Sequence, residues 1–198
     1  MFTKARIFLI PLLLAGGVSC NRPTADESKA DMGVVSPAEG ERAAVIGAAA
    51  AKTLMENLGG QLKAALAAGG PVSAIRVCQQ VAMPLTGAAG SSIEGVSVRR
   101  VTLKPRNPAN QPDATDSAVL AAMQAQAKPE VEIRRVDGTI RYYHPLPVQE
   151  VCLTCHGDPA TFPPELSSIL VELYPDDKAT GYQTGELRGA IRVDIAKP

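Results

Sequence analysis

Five consecutive residues, Cys152-Leu153-Thr154-Cys155-His156, constrain this chain more than any other feature. Two cysteines separated by two residues and followed at once by histidine form the c-type haem attachment pattern. At that spacing two thiols reach the two vinyl groups along one edge of a porphyrin, and the imidazole then sits under the iron. The motif predicts one covalent haem c, with Cys152 and Cys155 in thioether linkage and His156 as the proximal iron ligand. Two blander readings compete with it. One is a disulfide made in an oxidising compartment, and the other is half of a zinc site completed by Cys78 or His144. A zinc ribbon needs a second CxxC, which the chain lacks. A thioredoxin-like motif sits early in a βαβ unit, whereas this one follows a hairpin late in the chain.

The motif's position narrows the architecture. The forty-two residues after His156 contain no Met, His or Cys. Small c-type cytochromes carry the motif near the start and a Met ligand well after it, so this is not one of them. Helical cytochromes with a late CxxCH leave the sixth position open; an upstream ligand is the other option here, with Cys78, His144, Met55, Met83 and Met123 as the candidates. Cys78 stands out by thiol count: once Cys152, Cys155 and Cys20 have fates, it alone has no partner. A buried, inert thiol on a helix face is the competing reading. For His144, a satisfied sheet histidine is the more ordinary role.

The first nineteen residues read as an export signal. Lys4 and Arg6 precede a twelve-residue apolar run, Ile7 to Val18, broken by Pro11. A membrane span needs about 20 apolar residues, so the run suits a signal h-region. It ends in Gly17-Val18-Ser19-Cys20, which resembles a bacterial lipobox whose Cys becomes the acylated first residue; Gly17 departs from the usual Leu. The expectation is a lipoprotein-type signal over 1–19, lipidation of Cys20, and a flexible tether over 20–38 that holds a domain at 39–198 to a membrane on the periplasmic side. Asn21, rather than Asp, leans toward the outer membrane. Without Lys4 and Arg6 the mature chain carries 18 basic against 20 acidic side chains. With no basic excess and no Trp, nucleic acid is not an expected partner.

The 198 residues suffice for one domain with a real core. From Glu39 to Ala68 the chain is Ala-rich, with Leu54, Leu58, Leu62 and Leu66 at steps of four, a long N-terminal helix. Gly69-Gly70-Pro71 ends it, and a second helix is expected from Val72 to Met83, closed by Pro84. Ile75, Cys78 and Ala82 share a face of it. A strand follows from Ser97 to Leu103, then a Pro-braced loop through Pro112 and a helix from Asp113 to Gln126. Val131–Val136 and Thr139–Val148 alternate around Asp137-Gly138, a two-residue hairpin signal. A short helix from Pro164 to Leu173 and a strand from Leu187 to Ile195 complete an α+β order with an antiparallel sheet.

Several blocks carry a family resemblance. They are Ala74-Ile75-Arg76-Val77-Cys78, Arg99-Arg100-Val101, Arg106-Asn107-Pro108-Ala109-Asn110, Val151 through Gly157, Tyr174 through Tyr182, and Gly185 through Ala190. With these in order, residues from about 40 to 196 resemble a family of exported, PAS-like c-type haem domains, found alone or fused ahead of histidine kinases. The resemblance implies a PAS-like antiparallel sheet with flanking helices, and His and Cys as axial ligands, which carry over onto His156 and Cys78. It leaves His144 without a role. Arg106, Asn107 and Asn110 could meet haem propionates, since an Arg fork matches a carboxylate; a surface loop whose Asn residues hold turns explains them equally. Asp176 and Asp177 read as an exposed turn.

No nucleophile, general base or phosphate-binding constellation is present, so no enzymatic activity is expected. The first expectation is a membrane-anchored redox or small-ligand sensor working with an unidentified signalling or redox protein. The alternatives are a low-potential electron-transfer cytochrome c and a zinc- or disulfide-braced interaction domain without haem.

Overall fold

The computed structural model describes residues 33–196. The signal segment, Cys20 and most of the tether lie outside the described residues. Helix α1 (Pro37–Ala88) starts two residues earlier than expected because Ser36 and Glu39 form a reciprocal capping box and Pro37 fits the first turn. The residues just before it are docked on the domain: Val35 packs against the core, and the Val34 carbonyl accepts a hydrogen bond from Arg135 Nε at 3.2 Å. The end of the expected tether therefore belongs to the fold.

The expected break at Gly69-Gly70 is present, with Gly70 at φ 66°, ψ −162°, a conformation open to glycine. The helix resumes at Pro71 and runs through Pro84 to Ala88 instead of stopping there. Tertiary packing outweighs the lost backbone hydrogen bond. Ala82, Thr86 and Ala89 are buried, Leu85 lies on the core, and Thr86 Oγ1 donates to the Ala82 carbonyl at 2.6 Å.

Strands β1 (Val96–Val101), β2 (Glu132–Val136), β3 (Thr139–Pro147) and β4 (Leu187–Ile195) form one antiparallel sheet in the order β1-β4-β3-β2. The β2–β3 hairpin turns at Asp137 and Gly138, both at positive φ, as the two-residue turn requires. Strand β1 stops two residues short of the expected Leu103, because the Thr102 amide bonds the Asn110 carbonyl instead of the ladder.

The two faces of the sheet carry two cores. On one, the first half of α1 (Ala43, Ala50, Ala51, Leu54) covers Val98, Ile140, Tyr142, Ile191, Val193 and Ile195. The approach is close enough that a Cβ on Gly47 would lie 2.2 Å from the Tyr142 ring. On the other face α2 (Ala114–Gln124) sets Val119, Leu120 and Met123 on Val101, Tyr143 and Ala190. A buried polar network ties α2 down: Asp116, 0 % exposed, accepts from Tyr143 Oη and Arg192 Nη1, both at 2.8 Å. The class is α+β, as expected. No helix among the described residues is long and apolar enough to cross a membrane.

Candidate functional site

A single helical turn, α3 (Leu153–His156), carries the motif, directly after a 3-10 turn at Glu150–Cys152. It bridges two small apolar clusters. Cys152 and Leu153 rest on Val148, Ala179 and Tyr182. Cys155 faces Ile75 of α1 together with Leu166, Ile169 and Leu170 of α4 (Pro164–Leu173). The three described cysteines, Cys78, Cys152 and Cys155, are free thiols.

The segment between α4 and β4 then clamps the motif from outside. Gly157 and His156 give their carbonyls to the amides of Gly181 (2.7 Å) and Tyr182 (3.0 Å). His156 Nδ1 lies 2.7 Å from the Ala179 carbonyl. A carbonyl only accepts, so the ring proton sits on Nδ1 and the Nε2 lone pair is left for a metal. The imidazole stays neutral: burial first, then the charges of Arg106 and Arg188, push its pKa down to about 3 against the Ala179 hydrogen bond. The Tyr182 ring stands edge-on to His156, with centroids 6.3 Å apart.

Arg106 and Asp177 set that clamp. Arg106 Nε donates to Asp177 Oδ2 at 2.9 Å and its Nη2 to the Cys155 carbonyl at 2.6 Å, while Asp177 Oδ1 accepts from the Ala179 amide at 2.8 Å. One ion pair thus fixes both the motif's backbone and the residue that orients His156, an arrangement that supports a metal ligand from behind. Asp177 corrects the sequence reading: its side chain is 11 % exposed, not a solvated turn residue. Asn107 holds a turn, accepting from the Ala109 amide at 2.9 Å, and Asn110 is buried beneath it.

Cys78 joins this neighbourhood from α1, one helical turn past Ile75. Burial raises its thiol pKa, opposed by Arg100 and then Arg106, and its charge acts in turn on Cys155 and Tyr174. The other candidate ligands fare differently. Met123 is fully buried on the opposite face of the sheet, and Met55 is exposed on α1. His144 stacks on Tyr142 with its Nδ1 3.4 Å from the phenol oxygen. Met83 Sδ is 3.6 Å from Arg100 Nη2. Among the described residues no group of three or more His, Cys, Asp or Glu side chains is placed to hold a bare metal ion.

Sequence reasoning missed the cationic wall around the motif. Lys104 Nζ stands 4.3 Å from the Tyr182 ring centroid and the Arg188 guanidinium 5.5 Å. Arg188 Nη1 donates to Thr102 Oγ1 at 2.8 Å and to the Lys104 carbonyl at 3.1 Å. Burial pulls the pKa of both Arg100 and Arg188 below the usual arginine value, and each also feels another guanidinium. A signal was there: in the alternation of β1, Arg100 falls on the inward face with Val98.

A family model described as Tll0287-like matches residues 25–196. No curated protein matches the chain. The crystal structure of the cyanobacterial heme-protein Tll0287 is similar in fold, with a TM-score of 0.59 and 24% identity over 83% of this chain and 98% of that one. With a clamped CxxCH turn at its centre and a family model spanning nearly all of its length, the chain belongs to the Tll0287-like family.

Proposed function

We propose that this protein binds one haem c covalently and serves as a membrane-anchored redox or small-ligand sensor on the periplasmic side. The observation that carries the reading is His156. Its Nδ1 is committed to the Ala179 carbonyl and its Nε2 is free, on the same turn as two free thiols. The solved heme-protein of the same fold supports it. Cys152 and Cys155 would hold the group by adding S–H across its vinyl groups, each proton ending on the neighbouring carbon with nothing leaving. His156 would hold its iron through the imidazole nitrogen, and Cys78 would hold it as a thiolate, a state that a metal's charge favours. The bound group contributes one-electron chemistry and, where a ligand detaches, an open coordination position. Around it the chain holds the imidazole neutral, keeps the ring orientation fixed through Asp177 and Arg106, and surrounds the motif with positive charge. A thiolate donor would favour ferric iron and lower the potential, and a ligand that depends on oxidation state would give a sensor its switch.

The test is the absorption spectrum of the mature protein, oxidised, reduced and with CO, after expression with a cytochrome c maturation system. One haem's mass should survive denaturation and should vanish when Cys152 and Cys155 are both changed to Ala. Cys78→Ala should keep that mass, raise the potential and convert the ferric spectrum from low spin. A colourless wild-type protein ends the haem reading. A Cys78→Ala variant with the wild-type spectrum and potential ends the thiolate reading alone. CO binding on reduction supports sensing, and a reduced form that stays six-coordinate and refuses CO supports electron transfer instead.

A further inference from the structure

Arg100 has no ordinary reason to be where it is. It lies on the inward face of β1, between the buried Val98 and Thr102, and its Nε is fully buried without a hydrogen-bond partner. Among the described residues its one hydrogen bond is the 3.6 Å contact from Nη2 to Met83 Sδ, a soft and poor acceptor. Among the described residues it forms no ion pair with a carboxylate, and neither does Arg188 or Lys104, while Asp177 beside the motif is taken by Arg106. Among these cations burial weighs on Arg100 and Arg188, while Lys104, half-buried, donates to the Thr180 carbonyl. A buried charge left unpaired costs several kcal/mol, and native proteins avoid it unless an anion arrives from elsewhere.

The geometry points to Arg100, assisted by Arg188, as the anchor for a carboxylate of the bound cofactor, a haem propionate, while Arg106 positions the attachment motif. This assignment rests on the haem reading above. It also redistributes the roles read from the sequence, where Arg106 was the propionate candidate. Arg106 has spent Nε and Nη2 on Asp177 and the Cys155 carbonyl, whereas the Arg100 fork is open. A guanidinium fork matches a carboxylate in a bidentate pair, which Met83 cannot offer.

The test compares Arg100→Gln with Arg99→Gln in the covalently loaded protein. Arg99 is the exposed neighbour on the opposite face of β1, so the two variants remove the same charge from adjacent positions. Resonance Raman should show the propionate-bending band shifted in R100Q and unmoved in R99Q. The reduction potential of R100Q should fall, because a lost positive charge stabilises ferric iron. Its dependence on pH should move upward, because the propionate loses the partner that holds it ionised. If R100Q does not accumulate, Arg100→Lys keeps the charge but loses the fork, and the same band should shift there. An unmoved band in whichever of the two accumulates overturns the assignment. So does a changed ferric ligation spectrum with an unmoved band, which would make Arg100 a partner of Cys78. A wild-type protein without haem overturns the underlying reading and this one with it.

Discussion

Asp177 holds two residues of different kinds at once, the Arg106 guanidinium and the Ala179 amide, and through Ala179 it sets the rotation of His156. Asp177→Ala leaves a guanidinium buried without its counter-ion, a loss of about 3 kcal/mol by comparison with other broken buried pairs. Asp177→Asn keeps an oxygen for the Ala179 amide and should cost less; urea denaturation of both variants checks the order. None of this was legible from the residues near Asp177, since Pro-Asp-Asp reads as a solvated turn and its partner is 71 positions away. The Ala179 carbonyl was equally hidden, because a backbone acceptor leaves no mark on residue type. The motif itself stands in the sequence as two cysteines and a histidine at a fixed spacing, and the fold sets them on one turn. Cys78 could be singled out by counting thiols, but only the course of α1 brings it near enough for its charge to act on Cys155.

At the scale of elements, α1 meets the sheet through small residues, and Gly47 marks the closest point. Gly47→Ala sets a methyl group against the buried Tyr142 ring and should destabilise by roughly 1–3 kcal/mol, as overpacking does. Combining it with Tyr142→Leu should restore part of the loss in thermal melts. The start of α1 responds to acid instead. Glu39 accepts from Ser36 and pairs with Arg135 at 2.6 Å, and the Arg135 hydrogen bond, then Ser36, lower its pKa from 4.5 to about 2. The depressed value means the contribution is present above 4.5 and is lost as pH falls through 2. Glu39→Gln should therefore lower the melting temperature near neutrality, change it little at the acid end, and flatten its dependence on pH over that interval. Periodicity, composition and turn signals marked α1, α2, α4 and the four strands, while the single turn α3 and the ends of α1 and β1 went unmarked. Pro84 lies inside a helix because Leu85 and Ala89 have a core to meet, and Thr102 leaves the ladder for Asn110. Both decisions belong to tertiary contacts.

Across the whole molecule the sheet has two unlike ends. Two surface hollows, lined in part by Gly95, Val136, Asp137, Arg135 and Ala196, lie by the hairpin turn, whereas the motif and its cationic wall lie by the other end of β3 and β4. The N-terminal segment before residue 33 offers a separate prediction at this scale. The full-length protein should partition into detergent, and Cys20→Ser should release it to the aqueous phase; a mature chain whose mass shows no acyl group overturns the anchor. The order β1-β4-β3-β2 also has a temporal side. Strand β4 is the last of the four to be synthesised, yet it is the one that joins β1 to β3. Without β4 no strand joins β1 to the β2–β3 hairpin, and without Ala179 and Tyr182, which also follow the motif, the bonds that clamp His156 cannot form. Cys152, Cys155 and His156 therefore precede in the chain the residues that close over His156 from behind.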